Sequence, residues 1–579
     1  MATNSGNLKI ELEGRGPLTL RPSDYVATGG EASVYRASGT SVKIYTDPKK
    51  MQRDGIAEKV MLLRLLKHSY IMAPEGIVMD SNKNPIGIYM PWAEGESLPR
   101  IFTNAFRSRE KFNDEHAKTL VARMYETTRF AHDHNAIMVD ANELNWIACL
   151  SGRNGPEPRA IDVDSWSVGR FGPMAIMPSV KDWHTNGFDK RSDWFSWAVV
   201  TFQIFTGIHP YRGTLAGYSP KDWEKRMMEN ASVFRPGIGL NIAVRDFNCI
   251  PTPLLEWYKA VFEKGERNVP PSPLDKGIAA IATAARTLRV TTTASGALVF
   301  EKIYEQTGDP VIRIYPCGAA LNLSGMVIDL ATRRPIGTLV SGKGEVVKVK
   351  DGWLLADWVK NQPIFTFIDD RSRAQTSLVF ALKGHNVVRY ENRLFLVTEN
   401  ELVELNLLFA GRPILSIGQR TAILSPQSTN WFDGVGIQEA FGATFLVLPF
   451  GERACITVRV KELDGIKSVA AKAGNRFATV MGIDKTGSYR KFEFTFAAEY
   501  GSYVMWQGGA QNPELNIGIL PKGVCATIVE DGELVIFVPR SGAMNKIPDK
   551  QIATDMLLTN WADTVMYIQN GSVWKLTMR

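Results

Sequence analysis

The sequence predicts two unlike parts: a mixed α+β region over residues 1–275 and an all-β repeat region over 293–579, with a helical linker at 276–292 between them. Three observations predict this. A chain of 579 residues is too long for one hydrophobic core, so more than one domain is expected. Up to residue 275, stretches with apolar residues at every second position alternate with stretches spaced by three and four, which mixes strands with helices. From Val290 onward, short apolar strands recur between turn residues and helical spacing all but vanishes.

Composition narrows the function classes. Hydrophobic residues make up 45% of the chain and charged residues 22%, ordinary values for a soluble globular protein. The net charge of +7 is mild for this length and lacks the concentrated basic face of a nucleic-acid binder, so no nucleic-acid partner is expected. Cys149, Cys249, Cys317, Cys455 and Cys525 lie far apart without a C-x-x-C pair, which argues for free thiols in a reducing compartment. The N-terminal MATNSGNLKIELEGRG lacks the apolar stretch of a secretory signal. The longest apolar runs, 194–205 and 277–285, are too short for a membrane span. A cytoplasmic location with no membrane partner is the expectation.

Taken in order, residues 8–20 alternate apolar and polar and predict one or two strands. Residues 25–37 then read as strand, turn and strand, with Gly29 and Gly30 at the turn and Ala32 and Val34 just after it. Glycines between strands let the backbone approach a phosphate and aim N–H groups at it, though Gly-Gly also makes a plain hairpin turn. Lys43 follows on the strand Ser41-Val-Lys-Ile-Tyr45, and a buried ammonium there requires a partner. Residues 56–68 space their apolar side chains by three and four and predict a helix, which carries Glu58. Strands return at 75–79 and 85–92, the second closing on Tyr89-Met90-Pro91, and helical spacing resumes at 98–106 and 114–131.

The chemistry concentrates at 131–166. Asp140 ends an apolar run, Asn145 follows five residues on, and after a strand and a Gly/Pro loop come Asp162-Val-Asp164. Two acidic positions and an amide brought together by a short hairpin suit metal-assisted phosphoryl transfer. One carboxylate accepts the proton of the attacking hydroxyl, while the amide and the other carboxylate hold Mg²⁺ against the phosphates. His132 and His134 have no third ligand and read as surface histidines at a helix end. Further on, Ser192-Asp193-Trp-Phe-Ser-Trp opens a helix that is apolar nearly all round and ends at Thr206-Gly207-Ile-His209-Pro210-Tyr211. Ser192 is its expected N-cap, Asp193 suits its first turn, and such a helix belongs inside a packed unit.

Together these motifs resemble the protein kinases, closest to atypical bacterial and phage kinase-like proteins with G-G-E-G, V-K-I-Y, a hinge M-P and I-D-x-D-S-[FW]. The resemblance implies a bilobal fold, with an N-lobe over about 8–92 and a C-lobe over 93–275. It implies ATP and Mg²⁺ as cofactors, Asp140 as catalytic base, and Lys43 on the phosphates with Glu58 as its partner. Gly29, Gly30, Ala32 and Val34 would form the nucleotide loop, and the backbone of Tyr89 and Met90 would meet the adenine edge. Asn145 and Asp162 would bind the metal, with Asp164 the alternative to Asp162; Asp193 would anchor the backbone of the Asp140 loop. Met138 and Val139 stand where the family has His and Arg, and Met177-Pro178-Ser179 stands where it has A-P-E. The glutamate that would pair with an arginine near Arg267 is therefore missing. The implied function is Mg-ATP-dependent phosphoryl transfer to a protein serine or threonine. The alternative is a pseudokinase or scaffold that binds nucleotide or partners without catalysis, alone or in a larger assembly.

In the second part, segments such as ENRLFLVTENELVELNLL, DGELVIFVPRSG and ADTVMYIQNGSVWKLTM repeat one formula of turn, apolar strand, polar turn and alternating strand. At about 40–45 residues per blade, the length fits a six- or seven-bladed β-propeller, with a pair of sandwiches as the alternative. No catalytic constellation is visible; His385 reads as a surface residue. By fold-level analogy this region would recruit a protein substrate or partner.

Overall fold

The computed structural model describes residues 7–578 except 173–174, 274–297, 342–343, 360–361, 424, 451–452, 530–531, 550 and 554. The helix expected in the linker falls outside the described residues. The chain is mostly β, with its helices concentrated in the first half.

The first half opens with a seven-stranded antiparallel sheet. Its spatial order is Gly16–Leu20, Leu8–Leu12, Gly76–Met79, Pro85–Pro91, Thr40–Tyr45, Ala32–Ala37, Tyr25–Thr28. Alternation along the strands sends side chains to two cores. Ile88 and Met90 pack with Ala32, Tyr45 and the helices Pro48–Arg53 and Ile56–Leu63, whereas Val42 and Tyr89 face Ile10, Leu12 and Leu20. Each such buried side chain contributes about 1.5–3 kcal/mol. The chain leaves the sheet through Gly95, whose φ of +141° only glycine tolerates, and where a Cβ would run into the carbonyl of Ala148.

Beyond Gly95 the largest core forms around helix Lys190–Thr206, in which every residue from Ser192 to Thr206 is buried. The expected central helix is therefore present, but its N-cap is Asp189, not Ser192. The Asp189 carboxylate accepts from the amides of Arg191 and Ser192, and the Asp189 amide donates to Ser192 Oγ. Helix Asp114–Asp133 packs beside it, capped by Asn113. The segment expected to be helical at 98–106 is split into Leu98–Ile101 and Asn104–Arg109. Arg267 is not left without a carboxylate: Asp182, fully buried, takes its Nε at 2.6 Å and Nη2 at 2.9 Å. The partner lies three residues past the position where the motif puts it.

Among the described residues, the second half holds seven four-stranded antiparallel sheets in chain order. The seventh takes strand Leu298–Tyr304 from the start of the region and pairs it with Ser572–Met578 at the end. A continuous line of polar contacts joins the sheets. Arg313 of the first bonds Glu345 of the second, and Glu345 bonds Arg389 of the third. Arg389 bonds Asp433 of the fourth, Asp433 pairs with Lys472 of the fifth, and Lys472 reaches the carbonyl of Ile517 in the sixth. Asn516 ties the sixth to Met556 and Leu558 of the seventh, and Val311 of the first donates to Gly571 of the seventh. The circuit closes on itself.

The five cysteines are free. Among the described residues, no helix is long and apolar enough to cross a membrane.

Candidate active site

Lys43 sits in the middle of the first sheet, opposite Val34 on one side and Ile88 on the other. Its Nζ donates to Asp162 Oδ1 at 2.7 Å and to Asp164 Oδ2 and Oδ1 at 2.8 and 3.0 Å. Burial pulls the Lys43 pKa down, but the two carboxylates outweigh it and hold the ammonium charged beyond its usual range. The Asp164 pKa moves the opposite way, downward: burial opposes its ionisation, and the charge and hydrogen bonds of Lys43, with the 2.5 Å bond from Tyr45 Oη, more than offset that.

The expected Lys43–Glu58 pair does not form. Helix Ile56–Leu63 buries Ile56, Lys59, Val60 and Leu63, and this face leaves Glu58 exposed. Lys59 points inward instead and donates to the Asp164 carbonyl at 2.7 Å, with its pKa lowered by burial. Asp164 thus holds the position facing Lys43 that the resemblance gives to Glu58.

The same geometry separates Asp162 from Asp164. Asp164 has 2% of its side chain exposed and is consumed by Lys43 and Tyr45, while Asp162 keeps 38% exposed. Asp162 also has left-handed backbone, φ 57° and ψ 33°, fixed by the Ser165 amide and hydroxyl bonding its carbonyl. Such a conformation costs about 1–3 kcal/mol in a non-glycine residue.

Val139, just before Asp140, is strained in the same way at φ 64°, and its branched Cβ makes this worse. The buried Asp193 holds it there by accepting from the amides of Met138 at 2.7 Å and Val139 at 2.9 Å. The anchoring role expected of Asp193 is what the geometry shows. His132, expected at the surface, is buried and bonds Asp193 Oδ2 at 2.9 Å.

Asn145 Nδ2 donates to the Asp140 carbonyl at 2.8 Å, and the Asn145 carbonyl accepts from the Ile161 amide at 3.0 Å. These bonds tie the Asp140–Asn145 loop to the strand end that leads into Asp162, which contacts Lys43, and Asp140 lies close enough to Asp162 to feel its charge. The Asp140 carboxyl is raised by burial, opposed by the Met177 amide that donates to its Oδ1 at 2.9 Å. A carboxylate so shifted is a better proton acceptor. Asp162 and the Asn145 amide offer hard oxygen donors of the kind Mg²⁺ takes when phosphates complete its shell. Among the described residues, no cluster of three or more His, Cys, Asp or Glu side chains forms a metal cage.

Elsewhere the expectations fare unevenly. Gly29 and Gly30 form an exposed turn closed by the Gly29 amide on the Ala32 carbonyl, and Val34 is half-buried opposite Lys43. Ala32 is not in the turn but in the core beneath the two helices. Tyr89 and Met90 lie within the sheet, their backbone paired with Val42 and Ser41, and the Tyr89 carbonyl accepts from Glu75. Neither offers the free hinge backbone expected of it, because strand pairing with the preceding loop continues as far as Trp92 and Gly39. Lys59 and Asp182 belong to no motif of the sequence, yet each leaves a signal in it: Lys59 shares the i, i+3, i+4, i+7 stripe of its helix, and Asp182 is the next carboxylate after Ser179.

Set against known protein families and against curated proteins, the sequence matches none.

Proposed function

We propose that residues 7–273 form a bilobal protein-kinase-like unit that binds Mg-ATP beside Lys43 and transfers its terminal phosphoryl group to a protein hydroxyl. The seven sheets are then the blades of a β-propeller that recruits the protein acceptor. The observation that carries this is the convergence of Lys43, the Asp140–Asn145 loop and Asp162, from three separate segments, on one place between the first sheet and the helical core. Lys43 supplies a permanently charged donor for phosphate oxygens. Asp140 accepts the proton of the attacking hydroxyl, and the strained Val139 held by Asp193 sets its direction. Mg²⁺ on Asp162 and Asn145 would neutralise charge on the phosphates.

A second reading has its own support. Asp164 already saturates Lys43, and the Met177 amide occupies Asp140, as fits a pseudokinase or scaffold that does no chemistry. Thermal shift with Mg-ATP followed by radiolabelled phosphate transfer separates the two. Active protein should label itself or an added protein; Asp140→Asn should abolish labelling yet retain the shift, and Lys43→Met should lose both. A shift without any labelling supports the second reading, and no shift at all removes nucleotide binding from both, leaving only a scaffold that binds partners.

A further inference from the structure

We propose that the β region braces the Lys43–Asp140 cleft from both sides in cis, with Glu439 positioning the glycine turn and Tyr489 positioning the Asp140 loop. This rests on the nucleotide reading above.

On the sheet side, strand Tyr25–Thr28 is an edge, so its outward amides need partners from elsewhere. Glu439, on strand Val435–Ala440 of the fourth β-region sheet, accepts the Thr28 amide at 2.9 Å, immediately before Gly29. The Phe441 ring lies 4.4 Å from that of Tyr25, and its amide donates to Tyr25 Oη at 3.1 Å. Lys467 of the fifth sheet bonds the other oxygen of Glu439 at 3.1 Å and so fixes the carboxylate.

On the helical side, Leu144, within the Asp140–Asn145 loop, packs into the cluster of Val469, Met481, Ile483 and Tyr489. Tyr489 Oη shares a 3.0 Å bond with Gln203 of the central helix. Arg212 donates to the Gly487 carbonyl at 3.0 Å, and Gly487 fits so closely that a Cβ there would collide with Ser179 and touch Met177, whose amide holds Asp140. Adjacent sheets of one rigid circuit therefore grip the two walls of the cleft. Neither wall can move relative to the other unless one grip is released.

Hydrogen exchange and ATP kinetics on the full chain test this. Glu439→Ala should speed exchange of the Thr28 amide about tenfold and raise KM for ATP by a comparable factor with kcat little changed. Glu439→Gln, which retains an acceptor oxygen, should stay close to the parent. Tyr489→Phe should speed exchange at Leu144 and lower kcat more than it raises KM. If Glu439→Ala does not fold, Phe441→Leu, which removes the Tyr25 stack, is read in its place. Unchanged exchange at Thr28 overturns the brace, as does a lowered Tm with KM unaltered. If the parent protein binds no Mg-ATP, the nucleotide reading falls, while exchange at Thr28 and Leu144 still decides whether the two grips hold.

Discussion

At the scale of single residues, Glu143 is the most exposed to challenge. It lies within the Asp140–Asn145 loop, is buried, and its Oε2 finds no hydrogen-bond partner among the described residues. Burial raises its pKa to about 7, Arg212 pulls the other way, and Asp140 adds to the rise. The folded protein thus keeps the Glu143 proton while the unfolded chain releases it from about pH 4.5 upward. Stability should fall as pH rises through the window from 4.5 to 7 and level off above it, by roughly 3 kcal/mol in all. Glu143→Gln should remove that slope and leave the variant more stable than the parent at pH 8. Urea unfolding at pH 5 and pH 8 measures both; equal slopes in the two proteins would mean that Glu143 is solvated or paired.

Among elements, Asp182 ties the segment 177–182 to Arg267, which lies just past helix Thr252–Lys264 and bonds back to its Val261 carbonyl. Because Asp182 is fully buried, Asp182→Asn leaves a guanidinium without its counter-charge and should cost about 3–5 kcal/mol. Urea unfolding of the full chain measures this, and a cost under 1 kcal/mol would show Arg267 to be solvated. The same pair shows what the sequence made legible. Segments whose periodicity is strong, such as helix Lys190–Thr206 and the paired strands of the β region, could be read directly, because burial on a fixed face leaves a pattern. Asn145 and Asp162 could be picked out together because the hairpin over 146–160 sets their spacing, and Lys43 because a lysine on an apolar strand needs a partner. Asp182, Lys59 and the exposure of Glu58 depend on the rotation of a short helix or on the path of a loop. A shift of one residue turns a helix face by about 100°, which no motif count resolves. The pairing of Glu439 with Thr28 is further out of reach, since 411 residues separate the two.

For the whole molecule, the question is whether the seven sheets act as one unit. Glu345 is the keystone of the polar line: it bonds Arg313 of the first sheet and Arg389 of the third while belonging to the second. Both arginines have little exposed side chain, so Glu345→Gln leaves Arg313 without its bonded carboxylate and Arg389 with Asp433 alone. A loss of about 3 kcal/mol is the expectation for breaking such a network. In a unit of this size that corresponds to a fall in Tm of roughly 6–12 °C. Because strand Leu298–Tyr304 closes the seventh sheet from the opposite end of the region, no sheet is free to unzip first. The lowered transition should therefore stay single in scanning calorimetry, with enthalpy close to that of the parent. Pairing Glu345→Leu with Arg389→Met, which removes charge of both signs together, should recover part of the loss, since the two positions are in contact and their effects are coupled. A transition that splits in two would instead mean that the sheets melt in separate groups, as two stacked sandwiches would, and that the circuit is a row of local bonds without a common fate.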